Sequence, residues 1–385
     1  MRPISFRAQG FSVVELLVSV AIGLLALVFA TRLITGSEQS KQSALGGSDA
    51  MQNGMLAMFS ISSDASQAGF GLNDPIIIGC NTRFTDNAGY VLAQAPRGGA
   101  VISPLAPAII VSNGTAPDVI SLYSGSSVTG TGTMRLATDY GGGTRLDTDR
   151  PPFGFAVGDV VVVAPEDRIG DCALAQISAP PNGNPWVMVG CGANFRYNTG
   201  ALGPSFRGSR TRIFNLGPAA TLSLHTWSVN NGFLRLRSTD MEGSSVAPAT
   251  VADNIVSIKA QYGFDLRNGN AFLTRTSMQV GRWSTTMIDA DGNGVTGSAG
   301  DYEHLAALRI AVVARSKTRE RPNAAGACSA TTSLPTVFAT DEPEGVTPVP
   351  MSVDVAVAND SADWRCYRYR VFETIVALRN AGWKP

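Results

Sequence analysis

From Phe11 to Ala30 the chain is apolar apart from Ser12, Glu15 and Ser19. Twenty such residues are about what a helix needs to cross a bilayer, so this run constrains the chain more than any other segment. Arg2 and Arg7 precede it, and flanking basic residues stay on the cytoplasmic side, which sends the rest of the chain across the membrane. An ordinary secretory signal would be cut after the apolar run at a small-x-small site. The nearest such site, Ala44-Leu45-Gly46, lies far beyond its end. A plain anchor leaves Glu15 unexplained, because a lone carboxylate in hydrocarbon costs about 2.5 kcal/mol or more. The acid therefore points to a function.

The stretch GFSVVELLVSVAIGLL, residues 10–25, resembles the N-terminus of type IV pilins, with Gly, then Phe, then three mostly apolar residues and Glu. The resemblance implies that Gly10 is the last residue of a leader, 1–10, removed by a prepilin peptidase. It implies that Phe11 becomes the new, N-methylated terminus and that Glu15 is the fifth mature residue. Residues 11–70 are then a transmembrane pilin helix that is kept and later packs in a fibre. Electrostatics supplies a role for Glu15. A buried carboxylate seeks a cation, and the freed α-amino group of a neighbouring Phe11 is the one that processing creates. Glu15 with Phe11 would thus dock an incoming subunit.

Helix-compatible sequence continues past the apolar run to about Ala68, a helix roughly 85 Å long, with Gly69 and Gly71 as a stop. Gly36, Gly46 and Gly47 predict bends or local melting, since each Gly costs about 1 kcal/mol against Ala. Met51, Met55, Met58 and Phe59 have the i, i+4, i+7, i+8 spacing of one helix face, which predicts packing on the rest of the chain. After Pro75 the pattern changes to short β runs between turns: AIIV from Ala108, DVISLY from Asp118, VGDVVVVA from Val157, NIVSIKAQYGF from Asn254, LAALRIAVVARS from Leu305 and YRYRVFETIVALRN from Tyr367. Asn231-Gly232 is a type I′ hairpin signal. Gly (41 residues) and Pro (21) are frequent and no long linker divides this part. The expected class is α+β: a long N-terminal helix packed on a large, mostly antiparallel β-rich head, residues 75–385.

ASQAGFG at the helix end, VGDVVVVAPEDRIGDC, NIVSIKAQYGFD and YRYRVFETIVALRN resemble the PilW family of minor pilins. That resemblance implies a non-enzymatic subunit of type IV pilus assembly, acting in an initiation or tip complex. Its expected partners are other minor pilins and the major pilin, the prepilin peptidase, an inner-membrane assembly platform and a tip adhesin. Its expected location is the inner membrane, single-pass with a cytoplasmic N-terminus and periplasmic head, and then the pilus. The rival readings are a type II secretion pseudopilin, which shares the N-terminal motif, and a membrane-anchored adhesin or DNA-binding module.

Two further groups of residues carry chemistry. Asp289, Asp291 and Asn293 stand at i, i+2, i+4 with Gly294 next, the first half of an EF-hand-type calcium loop. The twelfth position is Gly300 rather than Glu, so Asp301 or Glu303 would have to complete the set. The alternative is a solvated Asp/Gly turn. The five cysteines, Cys80, Cys172, Cys191, Cys328 and Cys366, form no CxxC pair, which argues against zinc and for disulfides in an exported chain. Cys172–Cys191 and Cys328–Cys366 is the expected scheme, with Cys80–Cys172 as the rival. Basic residues at Arg315–Arg321 and Trp364–Arg370 are interleaved with aromatics in the second case, a mix that can bind single strands. Lys plus Arg and Asp plus Glu both total 30, however, and strand alternation turns those arginines to a solvated face. Nucleic acid is not an expected partner. No Walker loop, GxSxG elbow or HExxH motif is present.

Overall fold

The computed structural model of the chain describes residues 12–127, 133–180, 182–192, 194–323 and 325–382. One helix, α1 (Val13–Gln67), is followed by a β-rich region built of several mainly antiparallel sheets. The helix begins with a capping box: Val14 N–H donates to the Ser12 hydroxyl at 3.3 Å, and Ser12 N–H donates to Glu15 Oε2 at 3.1 Å. It runs unbroken across Gly36, Gly46 and Gly47, so the melting expected there is not seen. It stops at Ala68, where Gly69 takes φ 85°, a left-handed conformation that Gly adopts without a Cβ penalty. Gly69 N–H then donates to Tyr123 O at 2.8 Å, which hands the chain to a sheet.

Three sheets form the bulk of the head. A five-stranded antiparallel sheet runs in the order Ala249–Asp253, Phe233–Ser238, Ser223–Asn230, Val119–Ser124, Ala108–Val111. Its central hairpin turns at Asn231 (φ 51°) and Gly232 (φ 79°), the pair of positive φ angles that the Asn-Gly signal predicts. A four-stranded antiparallel sheet has the order Arg282–Ser284, Ile255–Phe264, Leu305–Arg315, Tyr369–Ala377. A six-stranded sheet has the order Pro104–Leu105, Cys80–Arg83, Cys172–Gln176, Asp159–Pro165, Thr211–Pro218, Thr133–Arg135. In it, Cys80–Arg83 and Cys172–Gln176 are parallel. All ten residues of Ile255–Phe264 and ten of the eleven in Leu305–Arg315 are buried, as expected for strands covered on both faces.

That parallel pairing corrects the expected cysteine scheme. Thr82 stands opposite Cys172, which brings Cys80 to a Cα–Cα distance of 6.0 Å from Cys172, and the two are joined, at a separation natural for a disulfide. Cys191, the partner expected for Cys172, is an exposed free thiol. Strand register, rather than nearness along the chain, selects the partner. Cys328 and Cys366 are joined and tie the segment before the last strand to the loop at Cys328.

One ion pair is fully out of water. Lys259, in the middle of Ile255–Phe264, donates to Asp118 Oδ1 at 2.5 Å and to the carbonyls of Gly114 and Ala116. Both side chains are 0% exposed. The other Asp118 oxygen accepts from Ala260 N–H, and Asp118 N–H donates to Ile258 O. The pair thus fastens the start of a strand in the five-stranded sheet to the centre of the four-stranded one, with every donor of the ammonium used. Breaking such a pair strands a charge without solvent. Lys259→Met is expected to lower stability by about 3–5 kcal/mol, read as a reduced urea midpoint of the purified chain. An unchanged midpoint would show that the pair holds nothing in place.

Candidate functional site: the apolar helix and its seat on the head

The apolar start of α1, Val13–Ile34, and its last third, from Ala50, meet different surroundings. Val13–Ile34 is 22 residues long, has mean hydropathy 2.7 and buries none of its surface in the protein, so by length and composition it can cross a membrane. Glu15 and Ser12 are exposed at its start, and Glu15 accepts the Ser12 N–H as the N3 member of the capping box. That box is written in the sequence as Ser-x-x-Glu, a signal that the reading of Glu15 as an intramembrane acid passed over. Gly10 and Phe11, the expected processing residues, lie outside the described residues.

Further along, the helix turns a stripe of small residues inward. Ala50, Gly54, Ala57, Ile61, Ala65 and Ala68 follow one another at spacings of three and four and are buried. All but Gly54 belong to the largest core cluster, which also holds Leu224, Trp227, Leu308, Ile310 and Leu378. Gly54 lies under the ring of Phe372, where an added Cβ would come within 2.0 Å of Cε2. The stripe expected to face inward is the neighbouring one, and the structure turns it out: Met51, Met55 and Phe59 are 45%, 48% and 72% exposed, and only Met58 packs on the core. Both stripes are apolar, so periodicity alone could not choose between them. The small residues let the helix backbone come close to the sheet, which a ridge of Met and Phe would prevent.

Polar contacts close the joint. Asp64 Oδ2 accepts from the indole N–H of Trp227 at 2.6 Å, and Asp64 Oδ1 lies 2.9 Å from His225 Nδ1. His225 Nε2 lies 2.8 Å from Asp240 Oδ1. An imidazole between two carboxylates must donate from both nitrogens, so it is an imidazolium. Burial opposes that charge, but the hydrogen bonds and attraction of Asp240 and Asp64 outweigh it and push the His225 pKa up to about 9. The Asp240 carboxyl moves down, against its burial, because His225 bonds to it. At the end of α1 the Asn380 amide donates to Ser66 O and Gln67 O. None of these polar side chains stands in a motif that singles it out in the sequence.

The acidic loop is a second cluster. One oxygen from each of Asp289, Asp291 and Asp301 lies within 4.8 Å of the others. Asp301 is buried, and its oxygens accept from the N–H groups of Ala290, Asp291, Gly297 and Ser298. Burial raises its pKa, opposed by those donors. The Asn293 amide donates to Asp291 Oδ2 at 2.8 Å, and the alternative ligand Glu303 is held by Arg168 at 2.7 Å. Of the expected set Asp289, Asp291, Asn293 and Asp301, the three carboxylates are gathered, while Asn293 presents its oxygen to Val295 N–H. Three of the six arginines of the two basic stretches are in ion pairs: Arg315 with Asp360, Arg365 with Asp363 and Arg368 with Glu320.

Residues 224–380 match the model of the PilW family, described as Type IV Pilus-assembly protein W. No curated protein and no solved structure gives a significant match. The matched segment contains His225, Trp227, Phe372 and Asn380, the residues that hold α1.

The His225 pKa makes the joint depend on pH. Its folded value, about 9, stands above its unfolded value of 6.5. The stability it contributes, on the order of 3 kcal/mol, is therefore full below pH 6.5 and lost as pH rises through about 9. The full chain in detergent is expected to melt at a lower temperature at pH 9.5 than at pH 6, and His225→Ala is expected to remove most of that difference. Equal pH dependence in the variant would show that the imidazolium is not the cause.

Proposed function

We infer that this chain is a minor pilin of the PilW family, a membrane-inserted, non-enzymatic subunit of type IV pilus assembly. The observation that carries this reading is the family match over residues 224–380, a segment that includes the seat of α1. The apolar span Val13–Ile34 joined to a β-rich head fits a membrane-anchored pilus protein. In this reading the leader 1–10 is cut after Gly10, Phe11 becomes the N-methylated terminus, and the N-terminus starts on the cytoplasmic side with the head in the periplasm. The head then meets other minor pilins or a tip adhesin in a complex that starts or caps the fibre.

Glu15 is proposed to dock on the α-amino group of a neighbouring Phe11. Its bond to Ser12 N–H gives it a second, purely local use, and the two are separable because Gln also serves at this position of a capping box. Glu15→Gln keeps the cap and removes the charge. Deleting the gene is expected to remove most surface pili, and Glu15→Gln is expected to reduce incorporation of the tagged subunit about tenfold or more, the cost of an unpaired buried amine being several kcal/mol. Full piliation in the deletion strain would overturn the assembly role. Normal incorporation of Glu15→Gln would overturn the docking role alone.

We propose calcium for the cluster of Asp289, Asp291 and Asp301, on the strength of three carboxylate oxygens brought together in a loop with alternating ligand spacing. At a hundredfold excess over its Kd, calcium should raise the Tm by roughly 5 °C relative to chelator, and Asp291→Asn should abolish the rise. A melt unchanged by calcium would remove the ion from the account.

A further inference from the structure

The strand Tyr369–Ala377 ends its sheet, and its outer edge has no partner strand among the described residues. It is nine residues long. The other outer strands of the three sheets, Arg282–Ser284, Ala249–Asp253, Ala108–Val111, Pro104–Leu105 and Thr133–Arg135, have three, five, four, two and three residues. Proteins keep exposed edges short because an open row of N–H and C=O groups is a template for another strand. A long one left open calls for a use.

The groups that point outward follow from the ladder. Leu378 N–H donates to Ala306 O, and Ser316 N–H donates to Arg368 O. Pairing with Leu305–Arg315 has no bulge, so even-numbered residues turn their peptide groups inward and Val371, Glu373 and Ile375 aim theirs away. The side chains of these three also lie on the face opposite α1, since Phe372 is the one over Gly54. Val371 and Ile375 are 38% and 36% exposed. Val371 stands beside Val313, its pair across the ladder and a member of a buried cluster with Ala311, Val337 and Phe338. An added strand would continue both the hydrogen-bond ladder and that apolar layer.

A second copy of this chain does not suit the edge. Gly54 meets Phe372 while Ser66 and Gln67 meet Asn380, so α1 and this strand run the same way. Two copies joined edge to edge across a two-fold axis would be antiparallel, and their apolar spans would point in opposite directions, which one membrane cannot accommodate.

We propose that the outer edge of Tyr369–Ala377 is a strand-addition site that takes an extended segment of a different pilus subunit, with apolar side chains at alternate positions to cover Val371 and Ile375. The proposal rests on the assembly role inferred above. Val371→Pro and Ile375→Pro each remove an outward N–H and leave the inner ladder intact, as edge positions permit. Phe372→Pro breaks the inner ladder and serves as the control for misfolding. The test uses the full chain in its own cells, carrying a benzophenone amino acid at Ala377. Ultraviolet light is expected to give an adduct whose second component is another pilus subunit by mass spectrometry. Val371→Pro and Ile375→Pro should each reduce adduct and surface pili about tenfold or more, the loss of one or two hydrogen bonds and their packing, with a Tm close to wild type. If one proline variant melts early, the other decides. Unchanged adduct and pili in a variant of wild-type Tm, or an adduct of two copies of this chain, would overturn the proposal. Harmless prolines in cells whose deletion strain has lost its pili would sink the edge alone, whereas a fully piliated deletion strain would sink the assembly role first.

Discussion

The contact on which the rest of this molecule depends is the one between Asp64 and the pair Trp227 and His225. A helix of 55 residues whose first part is surrounded by nothing of its own protein must be held at its other end, or the head and the span are merely tethered. Small residues bring the helix close, but apolar contact is non-directional and would let it slide or turn. Hydrogen bonds from an indole and an imidazolium to one carboxylate fix both rotation and axial position. Asp240, just past the neighbouring strand Phe233–Ser238, bonds the other imidazole nitrogen and keeps the ring charged, which strengthens its contact with Asp64.

Much of this plan was legible along the chain. The helix stop, the Asn-Gly hairpin and the long strands from Asn254, Leu305 and Tyr367 came from local chemistry: a glycine at positive φ, a type I′ turn and unbroken apolar or alternating runs. The errors share a different cause. Cys172 pairs with Cys80 because two parallel strands meet, and that meeting is a long-range event with no local signature. The inward face of α1 was misread because two adjacent stripes are both apolar, and the smaller side chains win only once a sheet has to fit against them.

The polar residues of the joint were illegible for a related reason. Asp64, His225, Trp227 and Asn380 are spread over more than three hundred positions and acquire meaning only when one strand, the short helix after the last strand and the end of α1 converge. The same holds for Lys259 and Asp118, which stand in no motif along the chain and lie fully buried against each other. Glu15 is the reverse case. Its place in the chain singles it out, and what the structure shows of it is its use as a helix cap.

The shared direction of α1 and the last strand has a mechanical consequence. A pull along α1 would load the seat in shear, because the helix would have to slide lengthwise over the sheet that grips it. In that geometry the Asp64 contacts, the Phe372 ring over Gly54 and the Asn380 bonds at the helix end all resist together. The head is thus fixed to α1 in the manner of a lap joint, strongest against tension along the axis.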